Sequence, residues 1–126
     1  MLKYLNGKIV KDAIPNETVL LIKLDRNNTD QAKPLSTDFQ EIIKEYKKYI
    51  SAICFIGGEE DHIELAELAK ETKKNGLKVC LSTFLQEESQ INLKLLNELD
   101  YLQLKTKMFK KDYSPFGDAE VWIDVL

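Results

Sequence analysis

Short apolar runs alternate with amphipathic stretches along this 126-residue chain, and the alternation limits the fold more than any other feature. Strands separated by helical stretches of roughly ten to fifteen residues are typical of βαβ units and of a mainly parallel sheet. The sequence therefore predicts a single α/β domain over residues 1–126. Five runs have the length and composition of strands: Thr18–Leu24, Ala52–Ile56, Leu77–Leu81, Tyr101–Leu104 and Val121–Val125.

Between these runs the apolar residues recur with helical spacing. A second helix is expected to start near Ile63 and to end at Asn75-Gly76, where glycine can adopt the left-handed conformation of a helix stop. A short helix is expected over Ile91–Leu99. The first helix has one apolar stripe, at spacings of three and four, made of Phe39, Ile42, Ile43, Tyr46 and Ile50.

Two local details are predicted from side-chain chemistry. Ser36 or Thr37 is expected to cap the first helix, because a hydroxyl there can accept from backbone N–H groups that have no helical partner. Asn6-Gly7, between Tyr4-Leu5 and Ile9-Val10, is expected to turn a small hairpin at an edge of the sheet.

The overall charge argues against two classes of partner. The chain has 18 basic and 21 acidic residues, a net charge of −3, and its lysines form no block that would follow a phosphate backbone. No apolar run approaches the roughly 18 residues of a membrane span, and the start of the chain lacks the apolar region of a secretory signal. We therefore expect a cytoplasmic protein that binds neither nucleic acid nor membrane.

Both cysteines, Cys54 and Cys80, lie inside apolar runs that are predicted to be strands. Burial as small apolar side chains is favoured for them over a disulfide or a metal site. A reducing compartment agrees with this expectation.

The strand at Ala52–Ile56 stops at Gly57-Gly58-Glu59, and this stretch has two interpretations. It can form the tight turn from a strand into a helix, with the following acidic residues placed favourably near the positive helix end. It can also bring bare backbone close to a small ligand at the carboxyl end of a parallel strand, with Glu59 holding an ammonium group. His62, the only histidine, is favoured as a solvated or capping residue over a catalytic base.

The surroundings of the glycine pair support the second interpretation. An apolar strand, Gly57-Gly58-Glu59, a helix over Ile63–Lys74, the segment Asn75–Val79 and a strand leading to Ser82-Thr83 follow one another. In this order, and in Asp100–Lys105, Ser114-Pro115 and Val121–Leu126, the chain resembles the radical S-adenosylmethionine (radical SAM) superfamily. Within it, the resemblance is greatest to the activating proteins of anaerobic ribonucleoside-triphosphate reductase, and it covers about residues 52–126.

The resemblance implies a shortened radical-SAM-type fold, in which a mainly parallel sheet forms a partial (βα) barrel. It also implies that the Gly-Gly-Glu segment contacts the amino group of S-adenosylmethionine, and that Ser82-Thr83 stands where the family has Thr-Gly at the end of the next strand. The residues predicted to bind a cofactor are therefore Gly57, Gly58, Glu59, Ser82 and Thr83.

One departure from the family pattern is severe. The superfamily carries Cys-x-x-x-Cys-x-x-Cys in the loop after the first strand, because three thiolates hold the [4Fe–4S] cluster that binds and cleaves S-adenosylmethionine. Here that loop, Asp25–Lys33, contains no cysteine, and Cys54 and Cys80 lie on other strands. We therefore expect no cluster, no other metal site and no radical chemistry from this chain alone, and we assign no catalytic residue.

Three functional hypotheses follow. The first is a cluster-less relative of the activating proteins that binds S-adenosylmethionine, a related nucleoside or an amino acid, or that binds a protein such as a glycyl-radical enzyme. The second is an activating enzyme whose cluster ligands come from a partner. The third is a small interaction module that forms homo-oligomers through an uncovered sheet edge.

Overall fold

The computed structural model describes residues 2–25, 29–58, 61–85, 93–106 and 120–125. Within them, the helices are α1 (Leu35–Tyr46), α2 (His62–Lys74) and α3 (Leu93–Leu96). The strands are β1 (Lys3–Lys11), β2 (Thr18–Leu24), β3 (Lys33–Pro34), β4 (Ala52–Ile56), β5 (Lys78–Leu85), β6 (Tyr101–Thr106) and β7 (Glu120–Val125).

The strands form one sheet in the order β3-β1-β2-β4-β5-β6-β7. β2, β4, β5, β6 and β7 are parallel, and β1 runs antiparallel to both β2 and β3. The parallel strands follow one another across the sheet in chain order. The fold is therefore mixed α/β with a mostly parallel sheet, as predicted.

One face of the sheet is covered by the helices. Apolar residues at alternate positions of β2, β4, β5 and β6 point to this face, because neighbouring side chains of a strand lie on opposite sides of the sheet. They pack against the apolar stripes of α1, α2 and α3 in a single cluster. Phe39 of α1 and Phe55 of β4 lie at its centre, with ring centroids 6.0 Å apart, and both are almost fully buried.

The opposite face of the sheet carries a second and smaller apolar cluster. It consists of Val19, Ala52, Cys54 and Cys80 from three adjacent strands, and of Ile14 from the turn that joins β1 to β2. This turn, Asp12–Glu17, lies over the sheet and includes two residues with positive φ, Asp12 at 62° and Asn16 at 66°. The second face therefore has no helix over it within the described residues, and a turn covers part of it.

The predicted strands and the first two helices are confirmed, with small changes at their ends. β5 continues to Leu85, so Ser82 and Thr83 lie inside the strand. α3 ends at Leu96 rather than at the expected Leu99, and positions 91–92 of the predicted helix lie outside the described residues. None of the helices that the structure describes is long and apolar enough to cross a membrane.

The hairpin expected at Asn6-Gly7 was wrong. β1 is one continuous strand, and Asn6 and Gly7 pair with Lys23 and Ile22 of β2. Gly7 serves close packing here, since an added Cβ would lie 3.3 Å from Leu20 Cδ1 of the neighbouring strand. The chain reverses only at Asp12–Glu17, because pairing along the whole of β1 satisfies more backbone groups than a turn at Asn6 would.

The cap expected at Ser36 or Thr37 was also wrong. α1 begins at Leu35, its N-cap position is Pro34, and no side chain accepts a hydrogen bond there. The N–H of Leu35 instead donates to the carbonyl of Leu2, at 3.0 Å, so the start of the chain satisfies the helix. Tertiary contacts thus place the helix start one residue ahead of the hydroxyls.

Candidate functional site

Gly57 and Gly58 lie at the carboxyl end of β4, as the sequence predicted. Both have positive φ, at 84° and 85°, which glycine adopts without the penalty that a Cβ brings. The N–H of Gly57 donates to the carbonyl of Ser82 on β5, at 2.9 Å, and extends the ladder between the two strands. The glycine pair therefore turns the chain sharply out of the sheet.

Packing against neighbouring side chains also favours glycine at position 58. A Cβ at this position would overlap Cδ1 of Leu24, and it would also contact Leu2. Leu24 ends β2, the neighbouring parallel strand, and both leucines are buried. The identity of residue 58 is thus explained by the protein's own core.

The turn leads directly into α2. The N–H of Asp61 donates to the carbonyl of Gly58 at 3.1 Å, and the Asp61 carboxylate caps the helix by accepting from the N–H of Glu64 at 3.3 Å. The Glu64 carboxylate also accepts from the N–H of Leu2. His62 is the first helical residue, and Glu59, the predicted ammonium ligand, lies outside the described residues.

Ser82 and Thr83 are both buried, at 4% and 3% exposure. They are adjacent in β5 and so point to opposite faces of the sheet: Ser82 shares the face of Cys80, and Thr83 shares the helix-covered face of Leu81. A ligand on one face can therefore contact only one of the two side chains. The sequence did not predict these orientations, because the expected strand ended at Leu81, before both residues.

Thr83 is the unusual residue of this edge. Its position in β5 is level with Gly57, because the register pairs Ile56 with Ser82 one step earlier. Its hydroxyl oxygen, Oγ1, is buried and has no hydrogen-bond partner within the described part of the chain. Buried hydroxyls are usually paired, so this atom requires an explanation.

Two hydrogen bonds join the described residues of the loop after β2. Asp25 accepts from the backbone N–H of Thr29 at 2.7 Å and from its hydroxyl at 3.1 Å, which closes this loop locally. Across the ranges that the structure describes, no three His, Cys, Asp or Glu side chains come together as a metal site. Positions 26–28 of the loop lie outside those ranges.

A second polar cluster, which sequence reasoning missed, lies at the opposite end of the strands. Glu17 is 7% exposed, and its Oε1 accepts from Lys78 Nζ at 2.7 Å and from the Tyr101 hydroxyl at 3.4 Å. Its Oε2 accepts from the Ser51 hydroxyl at 2.5 Å. The ammonium of Lys78 also lies 5.8 Å from the centre of the Tyr101 ring, within the range of a cation–π contact.

The electrostatics of this cluster are balanced. Burial alone would raise the pKa of Glu17, but the hydrogen bonds from Lys78 and Ser51 and the charge of Lys78 outweigh it, so the pKa is lowered. The hydrogen bond to Glu17 raises the pKa of Lys78. Both groups are therefore charged at neutral pH and held by each other, which suits a structural ion pair better than a proton-transfer site.

A sequence signal for this cluster existed. Glu17 and Ser51 immediately precede β2 and β4, and Lys78 and Tyr101 are the first residues of β5 and β6. The amino ends of parallel strands meet at one edge of a sheet, so polar residues at these four starts are brought together by topology alone.

Comparison of the chain with protein-family models, with curated proteins and with solved structures finds no match.

Proposed function

We propose that this protein is a cluster-less, radical-SAM-like binding protein, whose ligand site lies at the carboxyl edge of the sheet, around Gly57, Gly58, Glu59 and Thr83, while Ser82 lies on the opposite face of the sheet. The ligand class is S-adenosylmethionine or a smaller molecule with the same features, a nucleoside or an amino acid. The protein acts by binding this ligand or a protein partner. It does not carry out radical chemistry.

The topology supports this proposal. Five parallel strands follow one another in chain order, with helices on one face, and this order is compatible with a partial (βα) barrel. Doubly wound sheets instead reverse their strand order and bind ligands where the order changes. In the incomplete-barrel reading, the loops at the carboxyl ends of the strands form the site, and Gly57-Gly58 is one of them.

The observation that carries the proposal is the buried hydroxyl of Thr83 beside Gly57, which has no hydrogen-bond partner among the residues that the structure describes. A hydroxyl that stays buried without a partner costs about 1–3 kcal/mol, and a polar ligand group or an ordered water would remove that cost. The glycine pair by itself is a weaker argument, because positive φ and the contact with Leu24 already require glycine at position 58.

The residues of the proposed site suit binding of the amino-acid part of S-adenosylmethionine. They do not suit cleavage of its sulfonium group. Glu59 follows the glycine turn in sequence and provides a carboxylate for an ammonium group. Reductive cleavage of the sulfonium requires an iron–sulfur cluster, and the segment Asp25–Lys33 supplies none of its thiolates. Binding without cleavage is therefore the proposed role.

Isothermal titration of the protein with S-adenosylmethionine tests the proposal. We expect measurable binding to the parent protein, loss of most of it in Glu59→Ala, and weaker binding in Thr83→Val. Glu67→Ala is the matched control, because Glu67 is an exposed glutamate in the middle of α2 and its removal changes the net charge equally.

The outcomes separate the parts of the proposal. If titration with S-adenosylmethionine, with adenosine and with methionine produces no heat of binding in any case, the proposed ligand site is rejected. Equal affinities for Glu59→Ala and Glu67→Ala would place the ligand elsewhere on the protein. Cleavage of S-adenosylmethionine by the purified protein after anaerobic iron reconstitution would reject the cluster-less interpretation.

A second candidate function, homo-oligomerisation, is favoured by the edge strand β1. β3 pairs only with Lys3 and Tyr4, so the rest of β1 has a sheet partner on one side alone within the described residues. Leu5 and Ile9 are partly exposed there, at 37% and 39%. Such an edge can pair with a second copy, and light scattering at increasing protein concentration measures it: a constant monomer mass would remove this candidate.

A further inference from the structure

The two cysteines of the chain are direct neighbours in the sheet. Cys54 of β4 and Cys80 of β5 are register partners on adjacent parallel strands, and both side chains point to the face that no described helix covers. Their sulfur atoms are 3.1 Å apart, closer than the roughly 3.5–4.0 Å at which non-bonded carbon atoms lie. Neither forms a disulfide in the structure, and both are buried, at 4% and 3% exposure.

The backbone places the pair within reach of a covalent bond. Neighbouring strands lie about 4.8 Å apart, and disulfides join residues whose Cα atoms are about 4.4–6.8 Å apart. The sulfur atoms must approach by only about 1 Å to reach bonding distance, a movement that side-chain rotation supplies.

A small pocket lies against this pair. It lies between the β1–β2 turn and the sheet, and Ala13, Ile14, Leu21 and Tyr101 line it together with both cysteines. Its volume of about 30 Å³ accommodates a molecule of the size of water or hydrogen peroxide, whereas a tripeptide such as glutathione is far too large.

We propose that Cys54 and Cys80 form a peroxide-sensitive dithiol, which hydrogen peroxide converts into a disulfide across the sheet. One thiol is first oxidised to a sulfenic acid with release of one water, and the second thiol then attacks its sulfur and releases another water. In total, two thiols and one peroxide give one disulfide and two waters. Both electrons pass from the sulfur atoms to the peroxide, and a dithiol reductant reverses the step.

The proximity of the sulfurs determines which product forms. A sulfenic acid that has a thiol in contact condenses with it before a second peroxide can oxidise it to sulfinic acid. The folded chain should therefore yield mainly disulfide. Unfolding moves the two cysteines apart in space, so it should favour the sulfinic product.

The test treats the reduced protein with hydrogen peroxide, once folded and once unfolded in urea, and identifies the cysteine products by peptide mass mapping. We expect a linked peptide pair that contains Cys54 and Cys80, with a mass about 2 Da below that of the two reduced peptides. The ratio of disulfide to sulfinic acid should be about ten times higher for the folded protein than for the unfolded one. Dithiothreitol should restore both thiols.

Variants and opposite outcomes complete the test. Cys54→Ser and Cys80→Ser should each accumulate sulfinic acid on the remaining cysteine, because the resolving thiol is missing. Thiols that stay reduced in the folded protein would overturn the proposal, and so would separate sulfinic acids, disulfides between two chains, or a product ratio equal to that of the unfolded protein. The wild-type measurement is decisive even if a serine variant does not fold.

Discussion

The two ends of the parallel strands are built differently. At the amino edge, the polar side chains of Glu17, Ser51, Lys78 and Tyr101 form one hydrogen-bonded network around a buried carboxylate. At the carboxyl edge, the backbone turns through Gly57 and Gly58, and the hydroxyl of Thr83 is buried without a partner among the described residues. Within the described residues, the amino edge pairs the polar side chains of this network, whereas the carboxyl edge has one buried hydroxyl without a partner.

The difference matches a general feature of parallel α/β sheets. Ligands bind at the carboxyl ends of the strands, whereas the amino ends contribute to stability. Backbone links agree with this division: Ser51 donates to the Thr18 carbonyl at 2.8 Å, and Lys78 donates to the Ser51 carbonyl at 3.0 Å, which ties the starts of three strands together. The amino edge is thus expected to carry stability and the carboxyl edge to carry binding.

The largest effect is expected from Gly58→Ala at the carboxyl edge. A positive φ costs a residue with a Cβ about 1–2 kcal/mol, and the overlap with Leu24 adds about 1–3 kcal/mol. Urea denaturation should show a loss of about 3 kcal/mol in the free energy of unfolding. Gly76→Ala is the control, because Gly76 has a similar φ of 75° but open space around it, and it should lose only about 1 kcal/mol. Equal losses would show that the contact with Leu24 is unimportant.

Glu17→Gln tests the amino edge. The amide cannot accept a charged hydrogen bond from Lys78 as the carboxylate does, so we expect a loss of about 2 kcal/mol in the free energy of unfolding. Lys78 is half exposed, with 52% of its side chain accessible, and water replaces part of the lost interaction. Glu67→Gln, on the exposed side of α2, should change stability by less than about 0.5 kcal/mol. If the two variants are equally stable, the network at the amino edge contributes nothing beyond an exposed charge.

Acid should weaken the amino edge in a defined direction. The pKa of Glu17 is lower in the folded chain than its ordinary value of 4.5, so the folded state holds this proton less readily than the unfolded state does. Its contribution is complete above that ordinary value and is lost as the pH falls through the folded pKa. Unfolding measured from pH 6 to about pH 3 should show a steeper loss for the parent protein than for Glu17→Gln. Parallel pH profiles would contradict the lowered pKa.

Thr83→Val should give the smallest effect, and in the opposite direction. Removing a buried hydroxyl that has no partner in the described part of the chain is expected to leave stability unchanged or to raise it by about 0.5 kcal/mol. Thr72→Val is the matched control, since Thr72 is equally buried but its hydroxyl donates to the Leu68 carbonyl at 2.8 Å, and its loss should cost about 1 kcal/mol. A clear destabilisation by Thr83→Val would mean that this hydroxyl is already satisfied, by an ordered water for example, and it would weaken the proposed site.

Much of the fold was readable from the sequence. The apolar run Thr18–Leu24 predicted the strand β2, and the spacing of Phe39, Ile42 and Ile43 predicted the buried side of α1. Gly57-Gly58 was placed correctly at the end of β4, because glycine after an apolar run indicates a turn. These features depend on residues that are close in sequence.

The errors concerned choices between two locally acceptable structures. Asn6-Gly7 is a good hairpin turn by itself, but pairing with β2 along the whole strand was more favourable. Ser36 and Thr37 are good caps, but the carbonyl of Leu2 satisfied the start of α1 first. In both cases a partner distant in the chain decided the outcome.

The sequence by itself determined the alternating elements, the acidic composition and the loop without cysteines, because each is a property of local pattern or of residue counts. Only the tertiary structure decided that Cys54 meets Cys80, that Glu17 meets Lys78, and that Ser82 and Thr83 face opposite sides of the sheet. These facts depend on strand register, since a shift of one residue along a strand exchanges its two faces. Register is set by the packing of the whole sheet against its helices, and no short segment contains that information.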